Sequence, residues 1–373
     1  MVRSFLPVGQ GAFYCECFKS DKNSFNIVYD CGSLPDQGIV EREIRNHFQK
    51  GERIDALFIS HLDEDHINGI PYLLKYCNVK RIYFPLIASE NRGIMDIYYL
   101  SKNIHGFTYD FFMDPFGAIE DLDLDVRPQL IQIEEGEEAE ERERWGNDLD
   151  IDRRESGTNV FKDIKRAYDL KDNIYDEWLY IPFNFRQNER VKLLLVNLEK
   201  QFIRRIEKEE VAQIWRDNAS GDRNKIREAY RKIPGGFNTN SMTLFSGTTT
   251  YRLRQFYSKC LEKCCFGCYG CKLSGCLYLG DYDASGKIKW EKLTNAYKKY
   301  WEYIGCVQIP HHGSKYNFNN GLLEMNAFFV ISAGYSNRFR HPHSCVLKKF
   351  LLENKMPYIV TDQVGSAAFF RVC

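Results

Sequence analysis

What this 373-residue chain lacks excludes several classes of protein. No stretch approaches the roughly 18 uninterrupted apolar residues that a membrane-crossing helix needs, so a helical membrane protein is excluded. The opening, Met1 to Gly11, has no long apolar centre of the kind a cleavable export signal carries, and a cytoplasmic location is expected. Charge of one sign is not in excess: 51 Lys and Arg against 51 Asp and Glu leave a net charge of zero. The molecule as a whole therefore exerts no long-range pull on a polyanion, and any nucleic-acid contact has to come from local patches. No segment repeats internally.

What is present points to a globular fold. Hydrophobic residues make up 44% and aromatics 14%, with 26 Phe and 23 Tyr, which excludes a disordered or collagen-like chain. A mass of 43.8 kDa fits two or three average domains, or one large two-sheet α/β unit carrying insertions. The 13 cysteines are an odd number without an export signal, so free thiols or a metal site are expected rather than a disulfide framework.

Strand-like runs from Phe13 to Phe18 and from Asn26 to Asp30, followed by Cys31-Gly32, suggest an opening β-meander. Glu41 to Lys50 reads as a short helix, and Ile54 to Ser60 as a buried strand that runs directly into His61. From about Asp114 to Arg154 the chain turns acidic, with Glu134, Glu135, Glu137, Glu138, Glu140, Glu141 and Glu143, a pattern of a solvated loop or exposed helix. Trp178 to Phe185 looks like a strand. Asn197 to Asn218 and Arg223 to Lys232 have helical spacing and end at Pro234-Gly235-Gly236. Strands are expected at Met242 to Ser246, Cys276 to Leu279 and Cys306 to Ile309, with a helix around Trp290 to Tyr303. The last two strands each lead to an Asp or His.

The chemistry concentrates in Ser60 to Gly69, where His61, Asp63, Asp65 and His66 crowd the turn between a buried strand and a helix. In an extended turn His61, Asp63 and Asp65 point one way, and His66 joins them as the helix begins, so one pocket receives nitrogen and oxygen donors suited to one or two divalent metals. A solvated polar turn with a capping Asp is the competing reading. Two further positions at strand ends weigh against it: Asp281 in Leu279-Gly280-Asp281, and the pair His311-His312 in Pro310 to Ser314. A carboxylate at one strand end can bridge two ions while a histidine at another completes a coordination sphere.

Together these residues resemble the metallo-β-lactamase fold superfamily, whose signature places His-x-[His/Asp]-x-Asp-His after a strand, with a later Asp and a later His. Val8-Gly9-Gln10-Gly11, Tyr29-Asp30-Cys31-Gly32, Ser60 to Gly69, Asn238-Thr239-Asn240-Ser241, Leu279-Gly280-Asp281, Pro310 to Ser314, Arg340-His341-Pro342-His343 and Thr361 to Gly365 also follow an order similar to the soluble domain of the competence DNA-uptake channel family. The likeness runs from Val8 to Gly365, outside the middle of the chain. Pro7 and Ala12 stand where that family commonly has acids, and its membrane segments are absent. The resemblance implies an α/β fold, an αββα sandwich of two mixed sheets with helices outside. It would be a single domain over 1–373 with a charged, partly helical insertion at 114–235 and a Cys-rich insertion at 247–275.

The implied metal ligands are His61, Asp63, Asp65, His66, Asp281 and one of His311 and His312, the pattern Pro-x-His-Gly favouring His312. His105, the one histidine between His66 and Asp281, is a weak candidate for the further ligand of many superfamily members, so the first site is expected to be incomplete or completed by water. Asp63 replaces a histidine common among relatives, which makes the site harder; two divalent ions, manganese or zinc, are expected. Ions bridged by Asp281 would lower the pKa of a shared water while Asp65 orients it. His311 would then protonate the leaving group or support the site from behind. His341 could serve as general acid, and Ser314, Arg338, Arg340 and His343 would contact substrate, a plain surface loop being the alternative for the 338–343 stretch.

Cys260, Cys264, Cys265, Cys268, Cys271 and Cys276 have spacing compatible with an additional structural zinc; free reduced thiols, redox sensing or an iron–sulfur cluster are the alternatives. Lys287, Lys289, Lys292, Lys298 and Lys299 lie near Trp290, Tyr297, Tyr300 and Trp301, and a second basic set spans Arg204 to Lys232. Such sets can hold phosphates and stack bases, although aromatics at helical spacing more often pack in a core. The expected function is a dinuclear hydrolase of phosphodiesters, with nucleic acid as substrate and DNA cleavage by analogy with the resembled family. A hydrolase of cyclic nucleotides, esters or lactones is the alternative within enzymes. The other is a non-catalytic module that docks protein partners through its charged and Cys-rich inserts.

Overall fold

Nearly every residue of Phe13–Lys19 and of Ser24–Cys31 is buried, on one face or the other, and the two segments pair as an antiparallel hairpin with Val2–Phe5 on their outer side. The computed structural model describes residues 1–19, 24–34, 36–86, 89–136, 151–161, 177–185, 188–217, 220–233, 241–250, 252–258, 270–335 and 337–372. Among them, ten strands form one mixed sheet in the spatial order Lys272–Leu273, Arg254–Ser258, Ala368–Val372, Val2–Phe5, Phe13–Lys19, Ser24–Cys31, Ala56–Phe58, Arg81–Pro85, Gln129–Ile133, Asp152–Arg154. The last five run parallel to one another. A second mixed sheet has the order Leu179–Phe183, Thr243–Gly247, Gly275–Tyr278, Ile304–Gln308, Phe328–Ser332, Tyr358–Val360, its last four strands parallel.

The sheets face each other across an aromatic core. Tyr14, Tyr29 and Tyr278 stack at centroid separations of 5.0 to 6.2 Å, the first two from the ten-stranded sheet and the third from its partner. A buried ion pair lies in the same layer. Arg3 Nε meets Glu16 Oε1 at 2.8 Å, and Arg3 Nη1 reaches Gln255 and the Ser274 carbonyl. Glu16 also accepts from the hydroxyls of Tyr180, Ser246 and Tyr278 on the facing sheet. Buried charge is tolerable only with such partners.

Helices cover both outer faces, as the αββα expectation requires. Gln37–His47, Ile70–Tyr76, Ser89–Ser101, Asn188–Phe202, Lys208–Arg216 and Ser220–Arg231 pack on the first sheet, and Lys287–Ala296 and Ser344–Leu352 on the second. The helical stretch expected from Asn197 to Asn218 is two helices, interrupted where Ile203 takes φ +56°. The expected strand from Ile54 to Ser60 is shorter, because Asp55 separates Arg53–Ile54 from Ala56–Phe58 and the chain leaves the sheet at Ile59. The helix expected around Trp290 to Tyr303 ends at Ala296, and Trp301–Tyr303 forms a separate 3-10 turn.

Within 114–235, Gln129–Ile133 and Asp152–Arg154 extend the first sheet and Leu179–Phe183 edges the second. Within 247–275, Arg254–Ser258 and Lys272–Leu273 pair in the first sheet. Among the described residues no helix is long and apolar enough to cross a membrane.

Candidate metal centre

The parallel strands of both sheets deliver their C-terminal ends to one rim, and the loops that leave there carry the acids and imidazoles. His61 to His66 follow Ala56–Phe58, Asp281 follows Gly275–Tyr278, His311 and His312 follow Ile304–Gln308, and His341 follows Phe328–Ser332. Glycines seat the first of these loops. A Cβ on Gly32 would lie 2.5 Å from the Asp65 carbonyl carbon and one on Gly11 2.9 Å from the Asp65 oxygen, so only glycine permits this approach. Asp63 begins the Glu64–Ile67 helix without a side-chain capping bond, unlike a capping aspartate in a plain polar turn.

Buried side chains fix the other two loops. Gln308 Oε1 accepts from the N–H groups of Leu279 and Gly280, both at 2.7 Å, while its amide donates to the Gly280 and Ile309 carbonyls. The Asp281 N–H donates to Ser241 Oγ at 2.7 Å. His311 and His312 take φ of +49° and +54°, an uncommon backbone for two successive non-glycine residues, which turns both rings toward Asp281.

Asp281 lies at the middle of the assembled groups. Its Oδ1 faces His66 Nε2 at 3.4 Å and His312 Nε2 at 3.9 Å, and its Oδ2 faces His311 Nε2 at 3.5 Å and His61 Nε2 at 3.8 Å. Asp63 Oδ2 is 3.7 Å from His61 Nε2, on the Oδ2 side. Asp65 Oδ2 is 3.2 Å from His312 Nε2 and 4.0 Å from His66 Nε2, on the other. Donors about 2.1 Å from a tetrahedral ion are spaced about 3.4 Å apart, so these separations suit ligands of shared cations. His61, His66 and Asp281 form one group with metal-ligand spacing, and Asp65, His66 and His312 a second.

A further layer sets which ring nitrogen is available. His66 Nδ1 lies 2.8 Å from Asp30 Oδ2, and His312 Nδ1 lies 2.8 Å from the Ser332 carbonyl. Each acceptor fixes the proton on Nδ1 and leaves Nε2 to face the centre. His61 Nδ1 lies 2.9 Å from Ser60 Oγ and 3.2 Å from Ser241 Oγ. Ser60 Oγ in turn donates to Asp30 Oδ2 at 2.7 Å. One buried carboxylate thus orients two imidazoles, one directly and one through a hydroxyl.

The cluster draws positive charge: although burial opposes it, Asp30, Asp65 and Asp281 raise the pKa of His66, and Asp65 and Asp281 raise that of His312. Burial and the neighbouring His66 push the His61 pKa down to about 3, keeping it a neutral donor. Burial opposes charge on Asp281, but His311, His66 and His312 hold its carboxyl well below the ordinary range. Burial likewise opposes charge on Asp65, and His66 and His312 bring it down to about 2. His61 Nε2, His66 Nε2 and Asp281 Oδ1 are buried without a hydrogen-bond partner. Orphaned polar atoms of this kind are costly unless a ligand satisfies them, and this donor set of imidazoles and carboxylates fits divalent metal.

The remaining expected site residues are placed as follows. His341 has its ring 5.4 Å from that of His311 and its Nδ1 3.3 Å from Gln10 Nε2. Burial and the nearby His312 and His311 lower its pKa to about 3, so its imidazole is neutral. His343 Nδ1 accepts from the Lys315 N–H. Arg338 and Arg340 are exposed on the same loop, the former over the Phe339 ring. Ser314 is buried, its Oγ accepting from the Tyr316 N–H. His105 is exposed.

Cys271 is exposed, whereas Cys276 packs in the inter-sheet core with Cys306, so these two thiols are not brought together. Cys260, Cys264, Cys265 and Cys268 lie outside the described residues, as do Glu137 to Glu143 and Asn238 to Asn240. Tyr297 is buried, Trp290 packs edge-on to Trp301, and Tyr300 stacks on Phe245, so the aromatics of the lysine-rich segment pack against the second sheet. Asp30, Ser60, Ser241, Gln308 and Asn317 were not singled out as site residues from sequence. The motifs around Asp30 and Ser241 were the available signal.

Facing mixed sheets, outer helices and a histidine–aspartate centre on their common rim constitute the metallo-β-lactamase fold. The model of the metallo-beta-lactamase superfamily matches residues 21–147, the stretch that contains His61 to His66. Ribonuclease J of Mycoplasma genitalium is 39% identical over 71 residues, 17% of this chain and 12% of that protein. Ribonuclease J of Mycoplasma pneumoniae is 57% identical over 71 residues with the same coverage. Ribonuclease BN of Escherichia coli is 31% identical over 102 residues, 27% of this chain and 32% of that protein. The chain thus spans at most about a third of the curated relatives it matches. The solved structure of the short form of human tRNase Z aligns with a TM-score of 0.34 at 12% identity, covering 83% of this chain and 77% of that one. The family match and the ribonuclease matches are similarities over part of the chain, and the former overlaps the stretch that carries the first ligand motif.

Proposed function

We propose that the chain is a metal-dependent hydrolase that cleaves phosphodiester bonds of nucleic acid at a centre for two divalent ions. The observation that carries this reading is the Asp281 carboxylate, with imidazole nitrogens facing each of its two oxygens. His61, Asp63 and Asp281 Oδ2 would hold one ion, and Asp65, His66, His312 and Asp281 Oδ1 the other. When bound, the ions supply Lewis acidity that lowers the pKa of water toward neutrality and offsets charge on phosphoryl oxygens.

The chain's own residues do the rest. Asp30 and the Ser332 carbonyl keep His66 and His312 in the tautomer that offers Nε2. Asp65, its carboxyl held down to about 2, is the carboxylate that would orient an attacking water. His341, its pKa lowered to about 3 by burial and by the nearby His312 and His311, would contact substrate as a neutral hydrogen-bonding ring rather than serve as a general acid. Arg338 and Arg340 on that loop have the fork geometry for phosphate.

The motif order that resembles the competence DNA-uptake family supports DNA as the polymer, and the similarity to ribonucleases supports RNA. The test is cleavage of single-stranded DNA, duplex DNA and RNA by the purified chain with Mn²⁺ or Zn²⁺. No cleavage of any polymer, together with turnover of a cyclic nucleotide or a bis-nitrophenyl phosphate, would reassign it to small molecules. Absence of both bound metal and turnover would leave a binding module.

A further inference from the structure

His311 is the residue whose role sequence and family pattern leave open, and its surroundings decide it. Asn317 Nδ2 donates to the Asp281 carbonyl at 2.9 Å, so the atom it turns to His311 Nδ1, also at 2.9 Å, is its oxygen. An amide oxygen only accepts. His311 Nδ1 therefore carries the proton, and in the neutral ring Nε2 presents a lone pair. That lone pair faces Asp281 Oδ2 at 3.5 Å, one acceptor against another. Turning the Asn317 amide over would set its oxygen against the Asp281 carbonyl oxygen at the 2.9 Å now bridged by the amide N–H, so this orientation is the one held.

His312 does not share this position. Its Nε2 points to Asp65 Oδ2 and Asp281 Oδ1, and its ring is inclined 72° to that of His311. The two successive left-handed residues thus place one imidazole on each side of the same carboxylate.

We infer that His311 is a ligand, through Nε2, of the ion on the Oδ2 side of Asp281, so that the adjacent histidines serve different ions. This rests on the two-ion reading above. It gives each ion two imidazoles and two carboxylates: His61, His311, Asp63 and Asp281 on one side, His66, His312, Asp65 and Asp281 on the other. It also accounts for an exposed His105, since no histidine from that part of the chain is needed.

The test measures metal rather than turnover. Calorimetric titration and elemental analysis of the full chain should find two Zn²⁺ ions. His311→Ala should retain one at wild-type affinity and bind the other more than about 100-fold more weakly, beyond the 10- to 100-fold usual for loss of an outer partner. Asn317→Ala should weaken that same ion by about 10- to 100-fold. In the dicobalt wild-type protein, paramagnetically shifted exchangeable imidazole N–H signals should number four, from His61, His66, His311 and His312; this readout needs no variant to fold. Three such signals, or a folded His311→Ala protein that binds two ions at wild-type affinity, would overturn the inference and leave the proposed function standing. A wild type that takes up no ion would overturn both.

Discussion

Asp30 holds Ser60 at two points, its Oδ1 accepting from the Ser60 N–H and its Oδ2 from the Ser60 hydroxyl, each at 2.7 Å. The same Oδ2 receives His66 Nδ1, so orientation of the metal-facing turn passes through one buried residue that need not touch an ion. Asp30→Ala should weaken metal binding by about 10- to 100-fold, the usual cost of losing an outer partner of a ligating histidine. Ser60→Ala should have a smaller effect, because His61 keeps Ser241. Zinc titration of both variants checks this, and equal affinities in Asp30→Ala and wild type would refute it.

Removal of Asp63 and Asp65 together takes a carboxylate from each side of Asp281. The Asp63→Ala, Asp65→Ala variant should lose nuclease activity by at least about 10³-fold, since metal stabilisation of a transition state is worth several kcal/mol and each 1.4 kcal/mol is tenfold. Circular dichroism should show an unchanged fold. Full cleavage by this variant would end the assignment.

His47 offers a pH test away from the centre. Burial and nearby Lys19 push its pKa from 6.5 down to about 4. Between those values the unfolded chain binds the proton and the folded chain does not, so His47 favours folding above pH 6.5 and that contribution is lost as pH falls toward 4. The full loss is at most about 3 kcal/mol. Urea unfolding at pH 7 and pH 4.5 should show a smaller difference in His47→Leu than in wild type; identical differences would refute the attribution.

The Arg3–Glu16 pair predicts a stability effect without a direct effect on chemistry. Arg3→Ala would leave Glu16 charged between the sheets with only hydroxyl donors, at a cost of about 3–5 kcal/mol. Denaturant titration should show that loss, while Arg3→Lys should recover part of it. A change under 1 kcal/mol in Arg3→Ala would mean that the sheets rearrange around the site.

Sequence was most informative where chemistry is local. His61, Asp63, Asp65 and His66 lie within six residues, and the strand before them is continuous enough to recognise, although the sheet ends at Phe58 rather than Ser60. Asp281 and the histidine pair were found because each follows a strand. The supporting shell was not legible in the same way, because its members act at long range. Ser241 reaches His61 across 180 positions, and Gln308 holds Gly280, just before Asp281, from 28 positions away. Gly11 and Gly32 were visible as motif residues, but their reason, the close approach of the Asp65 backbone, exists only once the loops have met. The lysine-rich aromatic segment shows the opposite difficulty. Its spacing fitted both a stacking platform and a helix packed on a sheet, and only the placement of Tyr297 and Tyr300 distinguishes them.

The candidate ligands come in two sets, one rooted in each sheet: His61 to His66 on one side of the sandwich, Asp281 to His312 on the other. Cations held between them would act as a clasp, coupling ion affinity to the mechanical integrity of the whole sandwich. Metal at a hundred times its dissociation constant would add about 2.7 kcal/mol of resistance to unfolding per independent site. The linkage runs both ways, so a substitution that loosens the inter-sheet layer far from the rim should also make the protein release its metal more readily to a chelator.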